Sequence, residues 1–332
     1  MKTTNTGNLR ILLFSAELGS LFLAIIGFIL PLFLFGAKTL GQSSLSAVLN
    51  DHANHAAFLN SILLAGTVAT TSTALAFIFL WIFWRYRWQP LLRRGLELSL
   101  KLPYLLPPFF LAMGWIGLAA PEVGYLNRLL LSLGLAPWNY LYGIGSTFAV
   151  LVMWTTALSM IQLQSFFSQY PGELEDAAIL CGASPLVAFL RITVPTARNS
   201  LLSTFLLSAM STLAAFGVPA LLSGPDRSYV LTTKIFQNIK SVANYGNAAW
   251  LCTVLLGLTL FLVLLNTKLR TPARALVRGK ATRPTLLRPN FLARIAFVLA
   301  TLFALFSCVL PLGAIAVQSL LRDRSDLASW TF

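Results

Sequence analysis

The sequence predicts an all-α, membrane-spanning fold, and three observations predict it. Hydrophobic residues make up 57% of the 332 and charged residues only 10%. With a mean hydropathy of +0.77, this lies far from the balance of a soluble domain. Apolar runs of about 20 residues, the length a bilayer core of about 30 Å demands of a helix, recur along the chain. The basic residues behind the net charge of +14 fall in the gaps between those runs, not along one amphipathic face, which points to membrane topology and not to nucleic acid. Cys181, Cys252 and Cys308 have no CxxC spacing, so neither a metal knuckle nor a disulfide framework is indicated.

Seven spans are expected, near residues 11–37, 58–84, 96–120, 143–165, 199–222, 246–266 and 293–320. The first follows a short basic start but is too long for a signal peptide and lacks a small-residue cleavage site, so it is expected to stay uncleaved. With the N-terminus inside, 17 of the 24 basic residues face the cytoplasm and seven face outward, which orients the N-terminus to the cytoplasm. In the third span, LPYLLPPFF places Pro103, Pro107 and Pro108 where each removes a backbone donor, so a kinked or broken helix is expected, lining a cavity or serving packing alone. Residues 121–143 are too punctuated for another crossing and too apolar for a free loop; an outer-surface helix is expected there.

Residues 1–266 read as a six-span unit. Residues 267–292 follow as a basic cytoplasmic linker; the stretch 268–294 carries eight basic residues and no acid. After it, FALFSCVLPLGAIAVQSLL repeats features of IIGFILPLFLFGAKTL in the first span, Leu310, Pro311 and Leu312 matching Leu30, Pro31 and Leu32. The seventh span, in residues 293–332, is therefore expected to open a second, truncated unit.

Between the fourth and fifth spans, a cytoplasmic loop over residues 166–198 contains YPGELEDAAILCGASPLVAFLRITVPTARN. Pro171 suits a first helical turn, and Glu173, Glu175 and Asp176 place negative charge where the helix dipole favours it. Gly182 supplies the left-handed residue that closes this helix, Ser184 caps the next, and Pro185 takes that helix's first position. Two short helices at an angle are expected, with Ala177, Ala178, Leu180 and Ala183 available for close contact and Gly182 at the corner. An ordinary amphipathic loop helix is the plain alternative.

These residues resemble the EAA motif, EAAx3Gx9IxLP, of the membrane subunits of binding-protein-dependent ABC importers. Asp176, Ala177, Ala178, Gly182, Ile192 and Pro195 fall at the motif's positions, with Asp in place of Glu at 176 and Val in place of Leu at 194. The resemblance implies a six-span ABC importer permease unit plus a seventh span that begins a second unit, similar to the fused iron(III)-type permeases. It implies that Glu175, Asp176, Ala177, Ala178, Gly182, Ala183, Ile192 and Pro195 contact a cytoplasmic ABC ATPase dimer. The other implied partners are a periplasmic or extracellular solute-binding protein, a second permease unit and membrane lipid. The implied setting is a bacterial inner membrane. No GxxxxGK[ST] occurs in the chain, so ATP and Mg belong to the partner ATPase, no cofactor is expected on this chain, and it is not expected to be an enzyme.

The expected solute is iron(III), with thiamine, phosphonate or polyamine as alternatives. An ATP-independent secondary transporter would call for intramembrane carboxylates, and an accessory membrane protein without transport is a third reading. For the pathway, Pro107 and Pro108 border the broken third span, while Ser208, Ser211 and Thr212 recur at helical spacing and fit either a polar route or bonding between helices. His52 and His55 in NDHANH are read as a solvated outer loop, because HxxH alone lacks the ligands of a metal site. Glu17 and Glu97 are read as capping, snorkelling or pairing with a nearby base.

Overall fold

A computed structural model describes residues 48, 50–121, 124–269 and 284–320. The chain divides into two compact units, residues 1–55 with 234–254, and residues 56–233 with 255–332. In chain order the helices are α1 (His52–Arg85), α2 (Pro90–Lys101), α3 (Pro108–Ala119), α4 (Tyr125–Ser132), α5 (Ile144–Gln169), α6 (Glu173–Leu180), α7 (Pro185–Ala188), α8 (Val194–Leu213), α9 (Gly217–Leu222), α10 (Leu231–Lys240), α11 (Tyr245–Leu269), α12 (Phe291–Ala304) and α13 (Leu310–Leu320). Among the described residues there is no β-strand, only an isolated bridge between Tyr86 and Leu287. An apolar chain that must satisfy its own backbone without water has few other solutions.

Four described helices are long and apolar enough to cross a membrane: α1, α5, α11 and the continuous helix Phe291–Leu320, which contains α12 and α13. A fifth is added if α2 and α3, bent by 104° at their junction, count as one span. The break falls where the prolines predict it. Leu106, held extended before Pro107 at φ −105°, cannot continue the helix, and the Phe110 N–H turns to the Pro107 carbonyl. The Leu106 carbonyl instead accepts from Trp154 Nε1 at 3.0 Å.

The expected fifth span near 199–222 differs from the structure: α8 stops at Leu213 and the chain resumes as the short α9. Pro219 explains the interruption, since its ring excludes a helical bond to the Ala215 carbonyl. That carbonyl is taken by the Thr232 hydroxyl at 3.0 Å. Two further prolines, Pro195 and Pro311, follow π-helical turns at Phe189–Thr193 and Leu305–Val309. In each, one extra residue per turn relieves the clash a proline makes with the preceding turn. The expected first span, with Glu17, lies outside the described residues.

Two larger cores, beside a small one of Ala65, Ala69, Ala209 and Leu213, organise the larger unit. One gathers Phe77, Leu80 and Phe83 of α1 with Leu163 and Phe167 of α5 and Ala300 of α12. The other gathers Leu64 and Val68 of α1 with Leu111 and Trp115 of α3, Leu151 of α5 and Leu222 of α9. The expected surface helix in residues 121–143 is α4, tied down by buried Asn127, whose amide donates to the Ala119, Ala120 and Trp138 carbonyls and accepts from the Trp138 N–H at 2.7 Å. In the smaller unit, Asn54 donates to the Val48 carbonyl and to Asn247 Oδ1. His52 and His55 are exposed as expected, but they stand in the first turn of α1 and not in a loop.

Candidate functional site

Loop 166–198 folds as its local chemistry dictates. The Ala183 N–H bonds the Ala178 carbonyl and the Gly182 N–H bonds the Ile179 carbonyl, the paired closure that ends a helix when the residue after it is left-handed. Gly182 adopts φ +91° to make it. Ser184 then accepts from the Val187 N–H, and Pro185 opens α7. The result is the expected pair of short helices with its corner at Gly182.

The acidic residues at the start of α6 are placed by long-range partners. Arg85, at the last turn of α1 and 1% exposed, donates from Nη1 to Asp176 Oδ1 at 2.6 Å and brings Nε to 3.4 Å from Glu175 Oε2. Asp176 Oδ2 accepts from the Thr285 N–H and hydroxyl, both at 2.9 Å. Glu175 is fully buried: its Oε1 accepts from Trp81 Nε1 at 3.0 Å and from the Thr193 hydroxyl. Because Thr193 spends its proton there, Tyr170 donates to Thr193 Oγ1 at 3.2 Å, and burial pushes the Tyr170 phenol up to about 12.

The two carboxyls are driven apart. Burial raises Glu175 above the ordinary 4.5, despite the Thr193, Trp81 and Arg85 groups that favour its anion. Burial also pulls Asp176 upward, but the Thr285 N–H, the Arg85 guanidinium and the Thr285 hydroxyl outweigh it and hold the carboxyl below the ordinary 3.8. A carboxyl raised on folding costs stability while ionised and returns it as pH falls through the raised value; a depressed one loses its contribution only below 3.8. Between pH 7 and about 4.5, only Glu175 of the two therefore changes stability. Melting temperatures of the wild type are expected to rise relative to Glu175→Gln as pH falls through that range, and a parallel pair of curves would overturn the assignment.

Not all the residues expected at a partner's surface lie on one. Glu175 faces inward, which is a correction to its expected place, and the carboxylate oxygens of Asp176 are both engaged within the chain. Ala177 and Gly182 are exposed, Ala178, Ala183 and Ile192 are half-buried, and Pro195 is exposed on the first turn of α8. Near Gly182 the loop leaves Leu180 88% exposed, and Leu174, Leu186 and Leu190 are exposed along the same loop. Of the pathway candidates, Ser208 is bonded to Ser159 across α8 and α5 at 2.9 Å, and Thr212 bonds back to the Ser208 carbonyl. Ser211 is half-buried, and Pro107 and Pro108 sit at the α2–α3 break. Glu97 pairs with Arg93 at 3.8 Å.

Sequence reasoning missed Arg85, Trp81, Thr193 and Thr285. The one signal for Arg85 was a base closing a long apolar run; nothing local marks Thr285.

Comparison with known proteins places this architecture. The family described as binding-protein-dependent transport system inner membrane component matches residues 78–280. The osmoprotective compounds uptake permease protein GgtC of Synechocystis sp. is 23% identical over 227 residues, 66% of this chain and 81% of that protein. The ferric transport system permease protein FbpB of Actinobacillus pleuropneumoniae is 25% identical over 259 residues, 75% of this chain but 37% of that protein. A chain of a bacterial alginate ABC transporter, solved in complex with an alginate pentasaccharide-bound periplasmic protein, has the same fold with a TM-score of 0.67 at 17% identity, covering 82% of this chain and 97% of that one. The protein is a transport subunit and not an enzyme: it belongs to the family of inner membrane components of binding-protein-dependent ABC transport systems.

Proposed function

We propose that this chain is the permease unit through which an ATP-driven importer passes iron(III), received from a soluble binding protein, into the cytoplasm. The exposed face around Gly182 is the surface on which a cytoplasmic ATPase dimer docks, and that dimer supplies the ATP and Mg chemistry. The observation that carries this reading is the exposure of four leucines on a loop outside every described span, Leu174, Leu180, Leu186 and Leu190, where an unpartnered loop in water would be polar. The excess of basic residues assigned to the loop's own side supports a cytoplasmic position for it and for the N-terminus. Iron is supported by the ferric permease, whose length leaves room for a second unit such as the one the seventh span would begin. The relative named for osmoprotective compounds favours a compatible solute as the second reading.

Gly182 gives the sharpest test. A Cβ there would meet nothing within 4 Å, yet φ +91° strains any side chain. Alanine and tryptophan therefore share a backbone cost of about 1 kcal/mol and differ in what they project outward. Gly182→Ala is expected to keep co-purifying with the ATPase. Gly182→Trp is expected to lose both the ATPase and solute uptake while remaining inserted and monodisperse. Wild-type uptake by the tryptophan variant would overturn the docking surface. ATP-dependent accumulation of radioactive iron, measured beside a labelled compatible solute, decides between the two solutes.

A further inference from the structure

We propose that Arg85 and Thr285 are positioning residues that rivet the coupling loop, through Asp176, to the head of the seventh span, so that a displacement of α6 passes directly into α12 and α13. The inference rests on the reading of this loop as the ATPase docking site, and it assigns Asp176 to internal force transfer in place of partner contact.

The contacts form an unbroken chain. Asp176 holds the last turn of α1 on one oxygen, through Arg85 Nη1 at 2.6 Å, and residue 285 on the other, through two bonds of 2.9 Å. From residue 285 the main chain runs alongside the end of α1 and the residues that follow it: the Leu287 N–H donates to the Arg85 carbonyl at 3.1 Å, and the Arg87 N–H donates to the Leu287 carbonyl at 2.9 Å. Three residues later Asn290 caps α12, accepting from the Ala293 N–H at 2.8 Å, and Trp88 stacks on Phe297 with centroids 4.2 Å apart. Gly172, at the N-cap of α6, is seated so close that a Cβ would lie 2.5 Å from the Pro284 nitrogen. The last residues of the expected linker are thus part of the loop's packing.

Rigid attachment is what such a transfer requires. A charge-assisted bond to a largely buried guanidinium and two bonds from one threonine fix the carboxylate in three directions. A loop joined to α12 only by a mobile tether would instead dissipate its displacement. Because the bonds are short and local, the path is testable one link at a time.

The complete transporter, assembled with its ATPase and binding protein in liposomes, supplies the assay, with solute imported per ATP hydrolysed as the readout. Thr285→Val removes the hydroxyl donor while keeping the N–H and the shape. Gly172→Ala pushes residue 284 off α6. Neither changes the Arg85–Asp176 pair or the exposed face around Gly182. Both are expected to retain the ATPase and its hydrolysis while import per ATP falls about fivefold, and Thr285→Ser is expected to restore the wild-type ratio. An unchanged ratio in both variants overturns the inference and leaves the docking surface standing. A wild-type chain that captures no ATPase overturns the reading beneath it. A low ratio that serine does not restore also counts against the rivet, because it marks a packing defect.

Discussion

Replacing Arg85 by methionine is expected to lower stability by about 3–5 kcal/mol, more than any single change within the loop it holds. Methionine matches much of the arginine's length, so the packing of the stem survives and the loss is electrostatic. It strands Glu175, fully buried, and leaves Asp176 only Thr285. The measurement is thermal unfolding of the purified protein in detergent, where a fall on the order of 10 °C is expected. Adding Glu175→Gln should recover part of it, because the amide keeps an oxygen for Trp81 and Thr193 but buries no charge. A double-mutant cycle then gives the coupling between the two sites. If the single variant melts with the wild type, the ion pair does not hold the loop.

The contrast between Arg85 and Gly182 shows what was legible in the sequence. Gly182, Ser184 and Pro185 act within a few residues of themselves, through a left-handed φ, a hydroxyl cap and a missing N–H, so the shape of the corner could be read from the string. The break at Pro107 is local in the same sense. Arg85 meets Asp176 at a sequence separation of 91 and Thr285 meets it at a separation of 109, and no periodicity encodes such a meeting. An arginine closing an apolar run reads first as an interfacial anchor or an orientation signal, and both readings are physically sound for an isolated helix. Only the tertiary fold, which carries Trp81 and Thr193 to the same carboxylate, turns it into a buried partner. The acidic start of α6 suits the helix dipole, but that argument is silent on which way each carboxylate points. Pro219 was visible, yet its effect on α8 depends on Thr232 being present to take the freed carbonyl.

Close packing of the helix Phe291–Leu320 gives the other large effect, and two neighbouring glycines separate its causes. A Cβ on Gly114 of α3 would lie 2.5 Å from the Pro311 carbonyl oxygen and 2.8 Å from its carbonyl carbon. These are backbone atoms of a helix, and their only escape is to move the whole of α13. A Cβ on Gly117, one turn along, would meet Gln318 Nε2, at the far end of a flexible side chain that can swing aside. Without a hydrophobic drive between helices in lipid, such close backbone approach is what holds them together. Gly114→Ala should therefore cost about 1–3 kcal/mol through overpacking, and Gly114→Leu should part α13 from α3 and break the stack of Trp115 on Phe306, now 6.0 Å apart and 3° from parallel. Gly117→Ala should melt close to the wild type. Accessibility of single cysteines introduced along α13 to a membrane-permeant thiol reagent reads the separation directly, with labelling expected to rise in Gly114→Leu and to stay low in Gly117→Ala. Equal labelling of the two variants would show that the span is held by its other contacts, Ala300 and Ala304 against the α1 core foremost among them.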